Sequence, residues 1–449
     1  MMEKLFESDS QGDKEIEIDL QKEYSFPENL SIIEFNDKFI IVAVDYGNWI
    51  VLENLQQVTI FNMLKENCIK TVMDSFKEFQ ADLEHVLMQL EARHFENTEV
   101  ILKSTGEGVQ LYLTNKCNLR CPHCYMISGN ASPNELEKNE WYDIIENVAA
   151  HGADRITFSG GEATLHPNFA EFVIRSHNLG MNVELLSNGL LLTDKLLDNI
   201  GYALNRVQIS IDGFSEETNS THRGKGHFTK ALKVVDSLLK RNIPTDIGIT
   251  PPFSNDLHLH LDDYVGFIQD LYSSYKGAPL NIALTASLME GRDLHLSEPE
   301  NKYYSDCIDA ISKKCFGTHY KEIGFIQFKR LFGIDDNCPY GDLHIVANGD
   351  IFFCSHVTSM KPMGNIRTSS WKEIYEKADK AKKYSNINNI NPCSKCIIKY
   401  ICGGNCRIDH IPDFLDCSSV PQNPSRICTK KDKEEIYKLM IDTNEYIFQ

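Results

Sequence analysis

Residues 117–125 of the chain read CNLRCPHCY, with cysteines at positions 117, 121 and 124. Three thiolates in a C-x3-C-x2-C spacing can hold three irons of a cubane cluster, which leaves the fourth iron without a protein ligand. A structural zinc site with His123 as fourth ligand is the alternative, but such sites favour four protein ligands in paired C-x2-C units. The spacing therefore favours an iron–sulfur cluster with one open iron.

One strand-like segment precedes this motif, and helix-like and strand-like segments alternate after it. A rhythm of this kind is typical of parallel βα units, and six units predict an open, partial (β/α)6 TIM-like barrel instead of the closed barrel of eight. Ser132, Pro133 and Glu135 predict the start of the first helix through a capping box. Functional residues are then expected on loops after the strands. The predicted strands cover residues 109–114, 155–158, 182–186, 206–211, 245–249 and 281–286.

The N-terminal part of the 449-residue chain has a different pattern. Residues 1–27 are acidic and poor in apolar side chains, which predicts a disordered tail. Three strand-like runs and then helices follow, and this order predicts a small winged-helix-like domain over residues 28–100. The three runs cover residues 30–35, 39–44 and 49–52, and one later helix has Leu83, Val86, Leu87 and Leu90 on a single face.

A second group of cysteines begins at Cys338, where the alternation of strands and helices fades. This loss of regular pattern predicts a region folded around metal. A zinc ribbon is the alternative for Cys393 and Cys396. The remaining cysteines at 68, 307 and 315 are predicted to be buried small hydrophobes, and His151, His166 and His356 receive no role. The spacing is Cys338-x10-Gly349-x4-Cys354, then Cys393-x2-Cys396-x5-Cys402-x3-Cys406, then Cys417 and Cys428.

Composition excludes several classes of protein. The net charge is −19, which is the wrong sign for a chain that must neutralise a phosphate backbone, so no nucleic-acid partner is expected. Residues 1–100 hold 21 acidic and only 8 basic side chains. The absence of a long apolar run and of a signal pattern predicts a cytoplasmic protein outside the membrane. In that compartment the 14 cysteines are not expected to form disulfides, and the clustered ones are expected to bind metal or do redox chemistry.

Residues 105–290 resemble radical S-adenosylmethionine (SAM) enzymes. The resemblance implies that the open iron chelates the amino and carboxylate groups of SAM, and that one electron from the cluster breaks its sulfur–C5′ bond. The resulting 5′-deoxyadenosyl radical abstracts hydrogen from the substrate. It also implies cofactor contacts after successive strands, namely Tyr125, Gly160, Gly161, Glu162, Ser187, Asn188, Ser210, Asp212 and Arg223.

Residues 338–449 resemble the SPASM extension of radical SAM enzymes that modify peptides and proteins, and residues 291–337 form a bridge to it. The resemblance implies two auxiliary clusters, and hence three [4Fe–4S] clusters in all. It assigns Cys338, Cys354 and Cys406 to the first auxiliary cluster, and Cys393, Cys396, Cys402 and Cys428 to the second, where Cys428 matches better than Cys417. The fourth ligand of the first cluster stays open between Cys315, Cys417 and a substrate thiolate.

The domain at residues 28–100 resembles the recognition element of maturases that act on ribosomally made peptides. Such an element captures a leader peptide as an added strand. The expected function is therefore crosslinking of a precursor peptide, with a thioether from cysteine as the expected bond and a flavodoxin or ferredoxin as electron donor. A carbon–carbon or carbon–oxygen crosslink, residue oxidation as in sulfatase maturases, and a non-catalytic metal-binding scaffold are the alternatives. Ser355 disfavours the sulfatase reading, because those enzymes carry Asp at this position.

Overall fold

The structure is a computed structural model that describes residues 19–96, 108–329 and 338–448. These residues form two compact units. The first unit contains residues 19–96 together with the C-terminal residues 430–448, and the second contains residues 108–328 and 338–429. Each unit has its own cluster of buried apolar side chains.

The first unit begins with a three-stranded antiparallel sheet in the order β1-β2-β3. Asn36 and Asp37 have φ angles of 51° and 59°, and two successive positive φ values make the tight two-residue turn that joins β1 to β2. Three helices then pack against the sheet, of which the sequence did not predict the second. The elements are β1 (Leu30–Phe35), β2 (Lys38–Ala43), β3 (Asn48–Leu52), α1 (Leu55–Leu64), α2 (Ile69–Ser75) and α3 (Gln80–Ala92).

The segment before β1 is packed against this unit, so the prediction of disorder is wrong for residues 19–27. Tyr24 is 6% exposed, and its hydroxyl donates to Glu91 Oε1 at 2.6 Å. Phe26 contacts Phe61 edge to face, with ring centroids 5.0 Å apart. Aromatic side chains in an otherwise acidic segment supplied enough apolar area to hold it to the core. Residues 1–18 of the predicted tail lie outside the described residues.

The second unit contains a nine-stranded sheet in the order β12-β11-β10-β4-β5-β6-β7-β8-β9. Strands β4 to β9 are parallel neighbours in chain order, which confirms the partial barrel of six βα units. Among the described helices, none combines the length and the apolar composition that a membrane span requires. The strands are β4 (Gly108–Tyr112), β5 (Arg155–Ser159), β6 (Asn182–Ser187), β7 (Arg206–Ser210), β8 (Thr245–Ile249), β9 (Leu280–Leu284), β10 (Leu343–Ile345), β11 (Asp350–Phe352) and β12 (Gly364–Asn365).

The helices of the second unit alternate with these strands and then cover the cysteine-rich region. They are α4 (Lys138–Ala150), α5 (Phe169–Asn178), α6 (Asp194–Ile200), α7 (Glu216–Arg223), α8 (His227–Lys240), α9 (Leu261–Ser274), α10 (Glu298–Phe316), α11 (Tyr320–Lys329), α12 (Trp371–Ser385), α13 (Lys399–Cys402) and α14 (Arg407–His410).

Helix α4 begins later than the sequence predicted. Its capping box is formed by Glu137 and Glu140, and not by Ser132 and Glu135. The Glu135 carboxylate accepts from the Ser132 amide at 2.8 Å, as the box requires, and also from the Asn115 amide at 2.8 Å, at the end of β4. This part of the predicted box therefore forms, but it closes a turn that is also bound to β4, and the helix begins only after Glu137.

Strand β10 pairs in parallel with β4, with Leu343 opposite Val109. The hairpin of β10 and β11 thus extends the barrel sheet beyond its first strand. The sequence placed the cysteine-rich region in a domain of its own from Cys338 onward, whereas here it shares one sheet with the barrel. Long-range pairing of this kind leaves no local pattern to detect.

The C-terminal helix α15 (Lys430–Ile447) belongs to the first unit. Trp49 Nε1 donates to the Met440 carbonyl at 3.4 Å, and Phe35 contacts Tyr437 with ring centroids 5.7 Å apart. The side chains of Phe35 and Trp49 alternate with those that face α1 and α3, so α15 covers the opposite face of the sheet. The sequence had assigned residues 430–449 to the C-terminal cysteine-rich domain.

Candidate active site

The cysteine loop of residues 117–125 follows β4, at the edge of the sheet where β5, β6 and β7 also end. The Cys117 amide donates to the Gly129 carbonyl at 3.1 Å, which holds the start of the loop. Cys117 and Cys124 are among the titratable groups close to Cys121. Burial raises the pKa of the Cys121 thiol to about 11. Three soft sulfur donors converge in one loop, which is the type of ligand set that an iron–sulfur cluster uses.

The Gly160–Gly161 pair packs against the backbone that leads into this loop. The Gly161 amide donates to the Thr114 carbonyl, and the Glu162 amide donates to the Lys116 carbonyl, both at 2.8 Å. A Cβ on Gly161 would lie 2.3 Å from the Lys116 oxygen. Gly160 has a φ of 137°, and a Cβ there would lie 2.6 Å from the Thr114 oxygen. Only glycine fits both positions, so the pair fixes the loop in addition to any cofactor contact.

Glu162 joins the ends of two strands and is only 1% exposed. Its carboxylate accepts from the Ser187 hydroxyl and from the Asn188 amide, both at 2.8 Å. The side-chain amide of Asn188 donates to Asn118 Oδ1 in the cysteine loop at 2.7 Å. The structure thus connects three residues that the sequence predicted as cofactor contacts, and it links them to the loop that carries the thiols.

Asp212 and Arg223 form a buried ion pair at the same edge of the sheet. Arg223 Nε lies 2.7 Å from Asp212 Oδ2, and Arg223 Nη2 donates to Asp212 Oδ1 at 3.0 Å. The Asp212 amide donates to Asn219 Oδ1 at 2.9 Å, and its carbonyl accepts from the Tyr264 hydroxyl at 3.0 Å. Ser210 ends β7 two residues before Asp212. The pair therefore presents fixed charges of both signs.

Two histidines complete this polar pocket, and the sequence assigned neither of them to it. His123 Nε2 lies 3.5 Å from Asp212 Oδ2, and His123 Nδ1 lies 3.2 Å from His222 Nδ1. Burial lowers the pKa of His123 to about 4, so its ring is neutral at pH 7. The only signal in the sequence is the position of His222 directly before Arg223. His123 therefore contacts the ion pair, whereas the sequence had considered it as a zinc ligand.

A segment that follows the barrel strands also holds the cysteine loop. The Arg292 amide donates to the Cys124 carbonyl at 3.2 Å, and Arg292 Nη1 donates to the Cys121 carbonyl at 3.3 Å. A Cβ on Gly291 would lie 2.6 Å from the carbonyl carbon of His123. No sequence motif marked these residues, because their partners are more than 160 positions away.

Tyr125 is the last residue of the cysteine loop and lies near Cys354, which follows β11. The Tyr125 hydroxyl faces that of Tyr112, and the thiols of Cys124 and Cys354 are the other titratable groups close to it. Burial is the largest cause of the raised pKa of Tyr125. The sequence named Tyr125 as a cofactor contact, and the structure directs its hydroxyl toward the region of the first auxiliary cysteines.

The first auxiliary group contains Cys338, Cys354 and Cys406. Cys338 and Cys406 are among the titratable groups close to Cys354. Burial raises the pKa of the Cys354 thiol to about 11. Cys417 is fully buried beside this group, with its Sγ 3.9 Å from the Tyr340 hydroxyl. The thiols of Cys354 and Cys338 are also among the titratable groups close to Tyr340. Cys417 is therefore near the first group.

The second auxiliary group contains Cys393, Cys396, Cys402 and Cys428. The thiols of Cys402 and Cys396 are among the titratable groups close to Cys393. Arg426 lies among them, with Nη1 4.0 Å from Cys402 Sγ and with Cys393 and Cys428 also close. The structure therefore places Cys428 with the second group.

The remaining cysteines lie elsewhere. Cys315, considered as a ligand of the first auxiliary group, is on α10 beside Tyr272. It is only partly buried, so the prediction that it is buried is wrong. Cys307 on the same helix is buried, as predicted. Cys68 is partly exposed, with its Sγ 3.3 Å from Thr71 Oγ1, so the prediction that it is buried is wrong. Cys68 directly precedes α2 at the surface of the first unit, and this position explains why its side chain is partly exposed.

The donor sets fit iron–sulfur clusters in chemical type. All three groups consist of thiols, which are the ligands of such clusters, and the second auxiliary group supplies four of them. The buried guanidinium of Arg426 has an unpaired Nε within the described residues, which matches an anionic neighbour. The carboxylate, cation and amide groups beside the cysteine loop likewise fit a zwitterionic cofactor.

A cavity of about 240 Å³ opens beside the cysteine loop, between the end of β4 and the hairpin of β10 and β11. Tyr112, Met126, Phe352 and Thr358 are among its lining residues. It combines apolar walls with several polar groups, as small-molecule sites commonly do.

Comparison with known proteins identifies two domains. The family model of the radical SAM superfamily matches residues 111–262, and that of the SPASM iron–sulfur cluster-binding domain matches residues 337–397. Sporulation killing factor maturation protein SkfB of Bacillus subtilis is 38% identical over 146 residues, which cover 32% of this chain and about a third (36%) of SkfB. Mycofactocin maturase MftC of Mycolicibacterium smegmatis is 25% identical over 306 residues, which cover 66% of this chain and 76% of MftC.

A solved structure shares the fold. The structure of anSMEcpe with bound AdoMet has a TM-score of 0.53 and 17% sequence identity, and the match covers 76% of this chain and 93% of that one. At this identity the likeness concerns the fold alone.

Substitution of Gly161 by Ala tests the packing of the cysteine loop. The added Cβ would meet three backbone atoms of residues 115 and 116 at 2.3 to 2.7 Å, so the loop must move. We expect loss of iron from the cysteine loop, about a third of the total for three equal clusters. Iron analysis after anaerobic reconstitution measures this. Gly266→Ala is the control, because a Cβ there meets no atom within 4 Å. Equal iron in the two variants would contradict the packing role.

Proposed function

The chain belongs to the radical SAM superfamily and carries a SPASM domain, and we propose that it is a maturase that modifies a ribosomally synthesised precursor peptide. The observation that carries the proposal is the convergence of the three loop thiols with the Glu162 network and the Asp212–Arg223 pair at one edge of the barrel sheet. Two of the relatives, SkfB and MftC, are maturation proteins, which supports a peptide substrate.

Cys117, Cys121 and Cys124 would hold the cluster that binds SAM, and the two auxiliary groups would hold two more. The cluster and SAM, when bound, supply a 5′-deoxyadenosyl radical that abstracts a hydrogen atom from the substrate. A flavodoxin or ferredoxin is the electron donor that we expect to deliver the reducing electron.

The residues around the loop would bind and orient SAM. Arg223 offers a guanidinium to a carboxylate, and it is held in place by Asp212. Glu162 offers a carboxylate close to the loop and suits a cationic amino group. Arg292 and the Gly160–Gly161 pair keep the loop in one conformation, so that the cofactor and the substrate meet in a fixed geometry.

The triple substitution Cys117→Ala, Cys121→Ala and Cys124→Ala tests the radical chemistry. Without the three thiolates no cluster can bind SAM, so we expect complete loss of 5′-deoxyadenosine formation with dithionite as reductant. The reconstituted parent should hold on the order of twelve irons and little zinc, and the triple variant about two thirds as many. The Cys68→Ala variant is the control, since Cys68 lies in the first unit. Formation of 5′-deoxyadenosine by the triple variant would refute the assignment.

We infer that the bond formed is a thioether between a cysteine sulfur of the peptide and a carbon of another residue. The first auxiliary group supplies three thiols, and the Cys417 sulfur beside it is engaged by the Tyr340 hydroxyl and by the Phe353 backbone. A fourth position would then be available to a substrate thiolate, whose proton affinity a metal ion lowers. The cavity beside Tyr112 offers room for the side chain.

Spectroscopy of the triple cysteine variant, which retains only the auxiliary clusters, tests this binding mode. The native peptide should perturb the electron paramagnetic resonance spectrum of one auxiliary cluster, because a new sulfur ligand changes its electronic structure. A peptide with its cysteine changed to Ser should not. Cys417→Ser is the matched protein variant: if Cys417 is the fourth ligand, this substitution alone changes the spectrum and the native peptide has no effect, which would contradict the thiolate mechanism.

We further propose that the first unit binds the leader part of the precursor. Strand addition requires a sheet edge with free N–H and C=O groups. The outer edge of β3 is occupied by side chains of α3: the Val51 amide donates to Gln89 Oε1 at 3.4 Å, and the Trp49 carbonyl accepts from Arg93 Nε at 3.0 Å. His85 Nε2 lies 3.4 Å from the Val51 carbonyl. A peptide at this edge would have to displace all three side chains.

The outer edge of β1 is the better candidate. The two-residue turn makes Phe35 and Lys38 a hydrogen-bonded pair, so Leu30, Ile32 and Glu34 direct their backbone groups away from β2. Within the described residues no partner bonds to these outward groups. Ile32 is 47% exposed, which offers an apolar contact at the middle of the edge.

Substitution of Ile32 by Pro tests the edge, because it removes one outward N–H and leaves the bonds to β2 in place. We expect about tenfold weaker binding of the leader, measured by fluorescence anisotropy with a labelled candidate leader peptide. Ile32→Thr keeps the N–H and is the matched control. Unchanged thermal unfolding of both variants would establish that the unit is intact. Parent-like binding by Ile32→Pro would place the leader elsewhere.

A further inference from the structure

Arg426 is a buried cation next to the second auxiliary group. It is 4% exposed, and its Nη1 lies 4.0 Å from Cys402 Sγ. Cys393 and Cys428 are its other thiol neighbours. The position is fixed by the backbone, because the Arg426 amide donates to the Asn391 carbonyl at 2.7 Å. The guanidinium therefore lies among three of the four sulfurs of this group.

No carboxylate of the described residues pairs with this guanidinium. The Nε atom of Arg426 is buried without a hydrogen-bond partner in the same part of the chain. Arg223 is paired with Asp212. Arg407 also leaves its Nη2 without a partner among the described residues, but its Nε and Nη1 donate to the carbonyls of Ser385, Gly403 and Asn405. The guanidinium of Arg426 instead contacts a thiol. A buried and uncompensated guanidinium is unfavourable by several kcal/mol, so an anion is expected beside Arg426.

We propose that Arg426 is the charge partner of the iron–sulfur cluster held by Cys393, Cys396, Cys402 and Cys428, and that its positive charge raises the reduction potential of that cluster. The inference rests on the proposed cluster at these cysteines. An iron–sulfur cluster with four thiolates carries net negative charge, and reduction adds one more. A fixed cation and N–H···S contacts stabilise the reduced form more than the oxidised form. Arg426 keeps its proton in both states.

Substitution of Arg426 tests the proposal in the full chain, reconstituted anaerobically in the triple cysteine background so that only auxiliary clusters contribute. Potentials are measured by dithionite titration followed by electron paramagnetic resonance. For Arg426→Gln we expect the reduction equilibrium of one cluster to weaken about tenfold, which is about 59 mV for one electron, while the other cluster is unchanged. Arg426→Lys keeps the charge and should recover most of the shift.

Lys395→Gln is the matched control, because it removes one positive charge between Cys393 and Cys396 at an exposed position. Solvent screens such a charge, so its loss should leave both potentials at the parent values. Unchanged potentials in Arg426→Gln with normal iron content would overturn the proposal. A shift of the same size in Lys395→Gln would also overturn it, because the effect would then not depend on burial.

Loss of the cluster is also informative. If Arg426→Gln loses about half of the auxiliary iron and Arg426→Lys retains it, the charge is required and the proposal stands. If both variants lose it, the shape of the side chain matters and the charge does not, which overturns the proposal. Zinc in place of iron at these cysteines in the parent protein would instead contradict the proposed cluster, so the two failures can be told apart.

Discussion

The site depends on a close approach between two stretches of backbone. The turn after β5 lies so near the end of β4 that a single methyl group on Gly161 would overlap the Lys116 carbonyl. This contact fixes the point from which the cysteine loop departs. The loop is then held from the other side by Arg292, which donates to its carbonyls. Three thiols on a flexible loop would not converge without such support, since ordering each residue is entropically unfavourable.

Buried cations in the second unit each have a defined neighbour, and the neighbour indicates the role. Arg407 binds backbone carbonyls and so fixes the chain around Cys406. Arg223 is paired with a carboxylate at the edge of the barrel, where a second anion would find a prepared partner. Arg426 has thiols as neighbours. The same residue type thus serves packing at Arg407, and we propose cofactor binding for Arg223 and electrostatic tuning for Arg426, according to what surrounds each.

The first unit brings together residues 19–96 and residues 430–448. Helix α15 starts two residues after Cys428 in the sequence, and it covers one face of the small sheet. The helices α1 and α3 cover the other face, and α3 also occupies the outer edge of β3. Only the outer edge of β1 then remains for a peptide strand in the described part of the unit. A sheet with both faces covered offers recognition through its edge.

The sequence alone predicted the order of the barrel strands and the cysteines proposed as ligands. Parallel strands that are buried on both faces are local apolar runs, so the six barrel strands were found within two residues of their observed bounds. The cysteine spacing is likewise local, because ligands of one loop lie close in the chain. Tertiary structure decided the rest, through contacts between distant residues. Glu135 binds the end of β4 instead of capping a helix, and Arg292 holds a loop about 170 positions earlier. The C-terminal helix joins the N-terminal sheet, and Arg426 reaches the Cys402 sulfur only where the chain folds back on it. These contacts leave no periodic pattern, since each depends on which two segments the fold brings together.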